Sequence, residues 1–221
     1  MATINHFMDQ LTHDFSGLVK SFPLMLVIVI ALWAVNIINW IVFKSYLSRF
    51  GVIPRRARGL IGIPISFMFH GNFNHLFFNS IPLLVLGAFI LSQGLIYLLI
   101  VTIVVGVIES SMVWLIGRRG NHIGASGIIT GYFGYLLIMA YVSPNITTIV
   151  LAVITMYYFG SILFSVIPAE PGMSWESHLF GMLAGMAVGK LNMMYDFGLR
   201  LEEYFPSYTF LLSEPITSGA I

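Results

Sequence analysis

Residues 59–108 read GLIGIPISFMFHGNFNHLFFNSIPLLVLGAFILSQGLIYLLIVTIVVGVI and contain no Asp, Glu, Lys or Arg. A membrane-spanning helix needs about 20 consecutive apolar residues, so this stretch can hold two spans. Residues 120–169 also lack these charges and can hold two more, and the uncharged stretch 21–43 can hold one. The sequence therefore predicts a helical protein that crosses the membrane several times.

The composition of the whole chain agrees with a lipid environment. Of its 221 residues, 58% are hydrophobic and 9% are charged, and the mean hydropathy is +0.92. A soluble domain carries roughly 25% charged residues, which excludes a soluble globular protein. The net charge of +1 gives no basic surface for nucleic acid. The absence of cysteine excludes disulfides and thiolate metal sites, and we expect neither a metal nor a cofactor.

Turn and charge signals divide the chain into six predicted spans within one domain, residues 1–221. The core of this domain covers about residues 22–195, between a short polar N-terminal segment and a C-terminal tail. The first twenty residues lack the regions of a secretory signal, so span 1 is expected to remain in the mature protein. In order, the predicted spans are about Phe22–Phe43, His75–Leu91, Leu95–Ile116, Ser126–Val142, Ile146–Ile167 and Trp175–Tyr195.

Polar side chains within the predicted spans are costly in lipid and therefore mark functional or packing positions. His75 and Asn79 lie at the start of span 2, Ser126 begins span 4, and His178 lies at the start of span 6. Because the chain reverses direction at each span, even-numbered spans all begin on one side of the membrane. These side chains are thus expected at one face and at similar depth, where a serine beside a histidine is a nucleophile beside its base.

The spacing of glycines predicts which helices touch. Gly127 and Gly131 are four residues apart in span 4, and Gly181 and Gly185 repeat that spacing in span 6. Small residues at this interval let helices approach closely in a membrane, which would bring the serine and the span 6 histidine together. Interpretations without catalysis remain open, because such glycines can serve packing alone and a serine in a membrane helix can bond its own backbone.

Three motifs resemble those of the rhomboid intramembrane serine proteases. Residues 124–127 read GASG, similar to the family's GxSG motif. His70, His75 and Asn79 reproduce its HxxxxHxxxN motif, and residues 178–185 (HLFGMLAG) resemble its HxxGxxxG helix. The motifs occur in the family's order, over spans 2, 4 and 6. The resemblance implies an all-α membrane protein, a rhomboid-like bundle of six transmembrane helices.

The resemblance also implies a role for each matched residue. Ser126 would be the nucleophile and His178 the general base, in a dyad without a third carboxylate. His75 and Asn79, together with the Ser126 backbone N–H, would donate hydrogen bonds to the oxyanion, and His70 would order the adjacent loop and its water. The motifs further imply supporting positions at Gly124, Gly127, Gly181 and Gly185.

Two positions depart from the family's pattern. Thr130 stands four residues after the serine, where many members have a tyrosine that stacks on the catalytic histidine. Ile61 and Gly62 occupy the places of a Trp-Arg pair in the first loop. Neither departure removes a group that does chemistry, so they bear on loop architecture and substrate preference.

The function predicted from this resemblance is an intramembrane serine endopeptidase that cleaves transmembrane or membrane-adjacent segments of protein substrates. A catalytically inactive relative that binds membrane helices is the alternative, although Ser126 and His178 are both present. A transporter is a third interpretation, and Glu109 in span 3 is the one residue that favours it. Two observations argue against it: the other polar groups gather at one face, and the two halves of the chain show no pair of broken helices.

The resemblance places the protein in the bilayer of a bacterial cell (inner) membrane. Its orientation is open to two arguments. The basic first loop, about residues 44–69, would be cytoplasmic by the positive-inside rule, whereas bacterial rhomboids have both termini there. We expect the family's orientation, with the first loop partly embedded in the membrane.

Overall fold

The computed structural model describes residues 2–168 and 174–195, which form six long helices joined by loops and short helical turns. One pair of residues, Val52 and His122, forms an isolated antiparallel bridge, and no strand occurs within the described residues. The expectation of an all-helical fold is confirmed. The helices are α1 (Ala2–Ile41), α2 (Phe73–Leu91), α3 (Leu95–Ile116), α4 (Ser126–Val142), α5 (Ile146–Phe159) and α6 (Trp175–Tyr195).

For predicted spans 3, 4 and 6, the predicted bounds are the same as those of the observed helices α3, α4 and α6. The largest difference between a predicted span and its helix is at α1. This helix begins at Ala2, so it includes the short polar N-terminal segment that was predicted to precede span 1. α2 begins at Phe73, because Asn72 caps it and its side-chain oxygen accepts from the His75 backbone N–H at 2.9 Å. α5 ends at Phe159 and continues as a 3-10 helix over Gly160–Val166.

Four segments of the described residues are long and apolar enough to cross a membrane, and α4 and α6 are not among them. α4 has only 17 residues, and α6 carries Glu176 and Lys190. These two helices pack against each other at the centre of the bundle, where protein replaces lipid around them. A six-span topology is compatible with this arrangement. The four segments are Phe15–Ile41, Phe73–Leu91, Leu95–Ile116 and Ile146–Val166.

The glycine faces of α4 and α6 meet, as their spacing predicted. A Cβ atom added at Gly181 would lie 2.9 Å from the carbonyl carbon of Gly127, and one added at Gly185 would lie 2.6 Å from that of Gly131. Distances this short leave no room for a methyl group between the two backbones. The close approach of α4 and α6 therefore depends on glycine.

The first loop closes over the end of α3 and the segment that leads into α4. Val52 and His122 exchange two backbone hydrogen bonds of 2.9 Å. Arg55 donates from its guanidinium to the carbonyls of Leu115 and Gly117, at 3.1 and 3.0 Å. These carbonyls are left unpaired where a helix ends, so the arginine completes the end of α3 and fixes the loop against it.

Candidate active site

Ser126 is the first residue of α4, and the turn before it is shaped by Gly124. Gly124 has a φ of +117°, a conformation that residues with a side chain rarely adopt. Its N–H donates to the Ser66 carbonyl at 3.1 Å, which ties the turn to the first loop. A Cβ at Gly124 would lie 2.7 Å from His75 Nε2. The turn that presents Ser126 therefore lies directly against the first turn of α2.

Asn79 lies one helical turn after His75 in α2 and faces the same loop, which is the one shaped by Gly124. The same Cβ position at Gly124 lies 3.6 Å from Asn79 Nδ2. Within the described part of the chain, this amide nitrogen is buried and has no hydrogen-bond partner. A buried donor without a partner is costly, so an acceptor that reached this amide nitrogen would be bound favourably.

His70 supports the serine turn from behind. Its ring is fully buried, and Nε2 accepts a hydrogen bond from the Ala125 backbone N–H at 3.3 Å. Its ring centroid lies 4.9 Å from that of His75. Burial, followed by the nearby charge of His75, lowers the pKa of His70 to about 3, and a backbone hydrogen bond with Met68 opposes that shift. His70 is therefore neutral at physiological pH, as an acceptor must be.

His178 lies in the first turn of α6, with 9% of its surface exposed. Its Nδ1 lies 3.1 Å from the Ser165 carbonyl oxygen. A carbonyl only accepts, so Nδ1 carries the hydrogen in this contact and Nε2 is left as the acceptor of the neutral ring. This is the tautomer that a general base requires.

Ser126 and His178 lie at the starts of α4 and α6, and these two helix ends are in contact through the residues next to them. A Cβ at Gly127, which follows the serine, would lie 2.7 Å from Oγ of Ser177, which precedes the histidine. Within the described residues, no hydrogen bond joins Ser126 Oγ to His178. In known serine hydrolases, the contact between the serine and its base is often long without substrate and shortens in the reacting complex.

Thr130 packs one turn along α4 rather than against the His178 ring. Its Oγ1 donates to the Gly127 carbonyl at 2.9 Å, and a Cβ at Gly181 would lie 2.6 Å from it. Thr130 has no ring that could stack on His178, and the hydrogen bond from His178 Nδ1 to the Ser165 carbonyl orients the imidazole instead.

Sequence reasoning missed several contacts that hold the start of α6. Arg118 donates from Nε to Glu176 Oε1 at 2.6 Å and from its backbone N–H at 3.1 Å. His122 Nε2 donates to the Arg118 carbonyl at 2.9 Å, so its Nδ1 accepts from Ser174 Oγ at 2.6 Å. The one signal in the sequence was Glu176, an acidic residue in the first turn of a predicted span. Its partners are distant in sequence, so no local pattern could identify them.

A largely apolar cavity of about 340 Å³ borders this site without containing it. Ala125 and Ile128, on either side of the serine along the chain, form part of its wall. Thr102 and Tyr132 also line it, and their hydroxyl oxygens are 2.6 Å apart in a mutual hydrogen bond. Neither Ser126 nor His178 lines this cavity, so it adjoins the candidate active site without being part of it. Among the described residues, no three His, Asp or Glu side chains cluster as a metal site requires.

Comparison with known proteins identifies similar chains. The Rhomboid domain family model matches residues 58–195. Uncharacterized protein Rv1337 of Mycobacterium tuberculosis (strain ATCC 25618 / H37Rv) is 33% identical over 150 residues, which cover 64% of this chain and 62% of that protein. Uncharacterized protein ML1171 of Mycobacterium leprae (strain TN) is 32% identical over 169 residues, or 72% and 66% of the two chains. The chain thus spans somewhat less than two thirds of the Mycobacterium tuberculosis relative.

Proposed function

This chain belongs to the rhomboid family and is an integral protein of the lipid bilayer, and from that premise we propose that it is an intramembrane serine endopeptidase. The observation that carries the proposal is the meeting of two helix ends. One presents Ser126 beside Gly127, and the other presents His178 beside Ser177, and the 2.7 Å approach of Ser177 Oγ to the Gly127 Cβ position supports a shared site.

The proposed reaction begins when Ser126 Oγ attacks the substrate carbonyl carbon. Nε2 of His178 accepts the hydroxyl proton, while its Nδ1–H keeps the hydrogen bond to Ser165. The same proton then passes to the leaving amine as the peptide C–N bond breaks, which leaves an acyl-enzyme. A water molecule, deprotonated by the same histidine, hydrolyses the ester and restores the serine.

The oxyanion formed by this attack needs donors that are already in place. The unpartnered Asn79 amide and the His75 ring lie beside the turn that carries Ser126. The Ser126 backbone N–H belongs to the unpaired first turn of α4, whose helix dipole also favours negative charge. Preorganised donors of this kind supply much of the rate enhancement in acyl transfer.

The proposed substrates are transmembrane or membrane-adjacent segments of other proteins. A helical backbone engages its carbonyls in its own hydrogen bonds, so the substrate must unwind locally before Ser126 can reach one. Glycine or proline near the cleaved bond lowers the cost of unwinding. The mycobacterial relatives support a bacterial origin, and we propose the cell (inner) membrane as the location, in the family's orientation with both termini in the cytoplasm.

The test combines cleavage with covalent labelling of the purified protein in proteoliposomes. The wild type is expected to cleave a fluorescent transmembrane substrate and to react with a fluorophosphonate. Ser126→Ala should abolish both activities, and His178→Ala should reduce cleavage by roughly 10⁴ or more. Ser92→Ala, which removes a hydroxyl bonded to the Phe89 carbonyl at the end of α2, is the matched control and should retain activity.

Two results would overturn the proposal. Cleavage by Ser126→Ala at the wild-type rate would eliminate the dyad. A folded wild-type protein that binds transmembrane segments but neither cleaves them nor reacts with the fluorophosphonate would favour the inactive helix-binding alternative.

A further inference from the structure

A carboxyl group lies in the centre of the bundle and has no part in the reaction described above. Glu109 is in the second half of α3, and only 8% of its surface is exposed. An ionisable side chain within a membrane span is costly, and its partners indicate what offsets that cost.

Glu109 contacts residues of all three helices that meet beneath the site. Within α3, its Oε2 accepts from Ser110 Oγ at 2.6 Å. From α6, Ser177 Oγ donates to its Oε1. On α4, a Cβ at Gly127 would lie 2.6 Å from Glu109 Cδ. The carboxyl therefore touches the residue after Ser126 and the residue before His178.

We propose that Glu109 is a positioning residue, which sets the separation and rotation of the two helix ends that carry Ser126 and His178. This inference rests on the proposed function. The hydrogen bond from Ser177 fixes the first turn of α6 to α3, and the packing of the carboxyl against Gly127 fixes α4 to the same point. An error of about 1 Å between reacting groups can cost about 10²-fold in rate, so a fixed reference shared by both helices matters to turnover.

The other contacts of the α6 start do not replace this one. Arg118, which pairs with Glu176, has 53% of its side chain exposed, and it lies on the connection between α3 and α4. The Arg118–Glu176 pair therefore ties the start of α6 to that connection, which lies outside both α3 and α4. Glu109 instead is held in a regular helix, and its contact reaches both catalytic helices at once.

The experiment compares four variants by kcat, KM and melting temperature on the same transmembrane substrate. Glu109→Leu removes both acceptors, and Ser177→Ala removes only the donor from α6. Both are expected to lower kcat by about 10- to 100-fold with KM unchanged. Glu109→Gln keeps an acceptor for Ser177 and should restore kcat to within about threefold of the wild type. Ser110→Ala, which breaks only the contact within α3, is the matched control and should leave kcat unchanged.

The double variant Glu109→Leu/Ser177→Ala should lose little more than either single variant, since both interrupt one contact. Equal losses of kcat in Ser110→Ala and Ser177→Ala would overturn the inference. So would variants whose melting temperature falls while the folded fraction keeps its kcat, which would assign Glu109 to packing. If Glu109→Leu does not fold, Ser177→Ala decides the question.

Fluorophosphonate labelling separates this inference from the proposed function. A wild type that cleaves and reacts, with a Ser177→Ala variant of equal kcat, refutes the positioning role alone. A folded wild type that neither cleaves nor reacts refutes both.

Discussion

α4 and α5 follow each other in the chain and are both apolar, yet they occupy opposite environments. Ten consecutive residues of α4, from Gly127 to Leu136, are buried, whereas only 11% of the apolar window in Ile146–Val166 is buried. The helices differ in glycine, which α4 carries at 127, 131 and 134 and α5 lacks. Lipid is as apolar as leucine, so hydrophobicity cannot decide which helix is central, whereas small residues that permit close packing can.

The same difference separates their contributions to the site. The interior helix carries Ser126, the proposed nucleophile, at its start, where α4 packs against α6. The lipid-facing helix contributes through the 3-10 helix that extends it, whose Ser165 carbonyl accepts from His178. The proposed nucleophile thus lies on the helix whose glycines allow it to be buried. The predictions that follow test this comparison, beginning with the largest effect.

A side chain on the glycine face of α6 should abolish folding. At Gly185, even a Cβ would lie 2.6 Å from the Gly131 carbonyl carbon, and backbone cannot move aside as a flexible side chain can. We expect Gly185→Val to give no recoverable folded protein in size-exclusion and thermal unfolding assays. Val153→Leu, on the lipid-facing side of α5 where 62% of the residue is exposed, should change stability by less than about 0.5 kcal/mol. A folded Gly185→Val protein would break the comparison.

Two asparagines beside α4 and α5 should give opposite results. Asn79→Ala removes the unpartnered amide beside the serine turn and should reduce kcat by about 10²–10³, or ~2.7–4 kcal/mol, with KM and melting temperature little changed. Asn145→Ala removes the cap of α5, whose oxygen accepts from the Thr148 N–H at 2.9 Å. It should cost about 1 kcal/mol of stability and leave kcat of the folded fraction unchanged. The reverse pattern would assign Asn79 to packing.

His70 should make the support of the serine turn sensitive to acid. Its pKa is about 3 in the folded protein, against 6.5 for the unperturbed group. The unfolded chain therefore takes up the proton first, so the stability that is fully present above pH 6.5 declines as the pH falls towards 3. At pH 4.5, two units below the unperturbed pKa, the loss should be about 3 kcal/mol, at ~1.4 kcal/mol per pH unit.

Melting temperatures of the wild type and His70→Gln from pH 7.5 to 4.5 measure this effect. The glutamine does not titrate and can still accept from the Ala125 N–H, so its melting temperature should depend less on pH. Parallel curves for the two proteins would show that His70 is not responsible.

The smallest effect concerns the one side of α5 that faces protein. Thr155 is fully buried, and within the described residues its Oγ1 has no hydrogen-bond partner. Thr155→Val preserves its shape and removes an unpaired hydroxyl, so stability should stay the same or rise by up to about 1 kcal/mol. Thr102→Val is the matched control, since its hydroxyl bonds Tyr132 at 2.6 Å, and it should lower the melting temperature.

Local signals in the sequence were sufficient for much of the fold. Ser92-Gln93-Gly94 separates α2 from α3, and Ser143-Pro144-Asn145 separates α4 from α5, as predicted. Such residues act within one turn of chain, so their effect does not depend on the rest of the molecule. The helix α1 begins at Ala2, well before the predicted start of span 1 at about Phe22, because an uncharged window locates only the segment within lipid and polar residues before it can continue a helix.

The sequence by itself determined that the chain is helical and membrane-embedded, and the alternation of spans placed its motif residues at one face. The glycine spacing determined which two helices would meet. Only the tertiary structure decided that Ser165 orients His178, that Glu109 of α3 contacts both α4 and α6, and that Arg118 pairs with Glu176. The physical reason is that periodicity defines a helix and its faces, whereas partners 58 or 68 residues apart meet only after packing has fixed the rotation and depth of every helix.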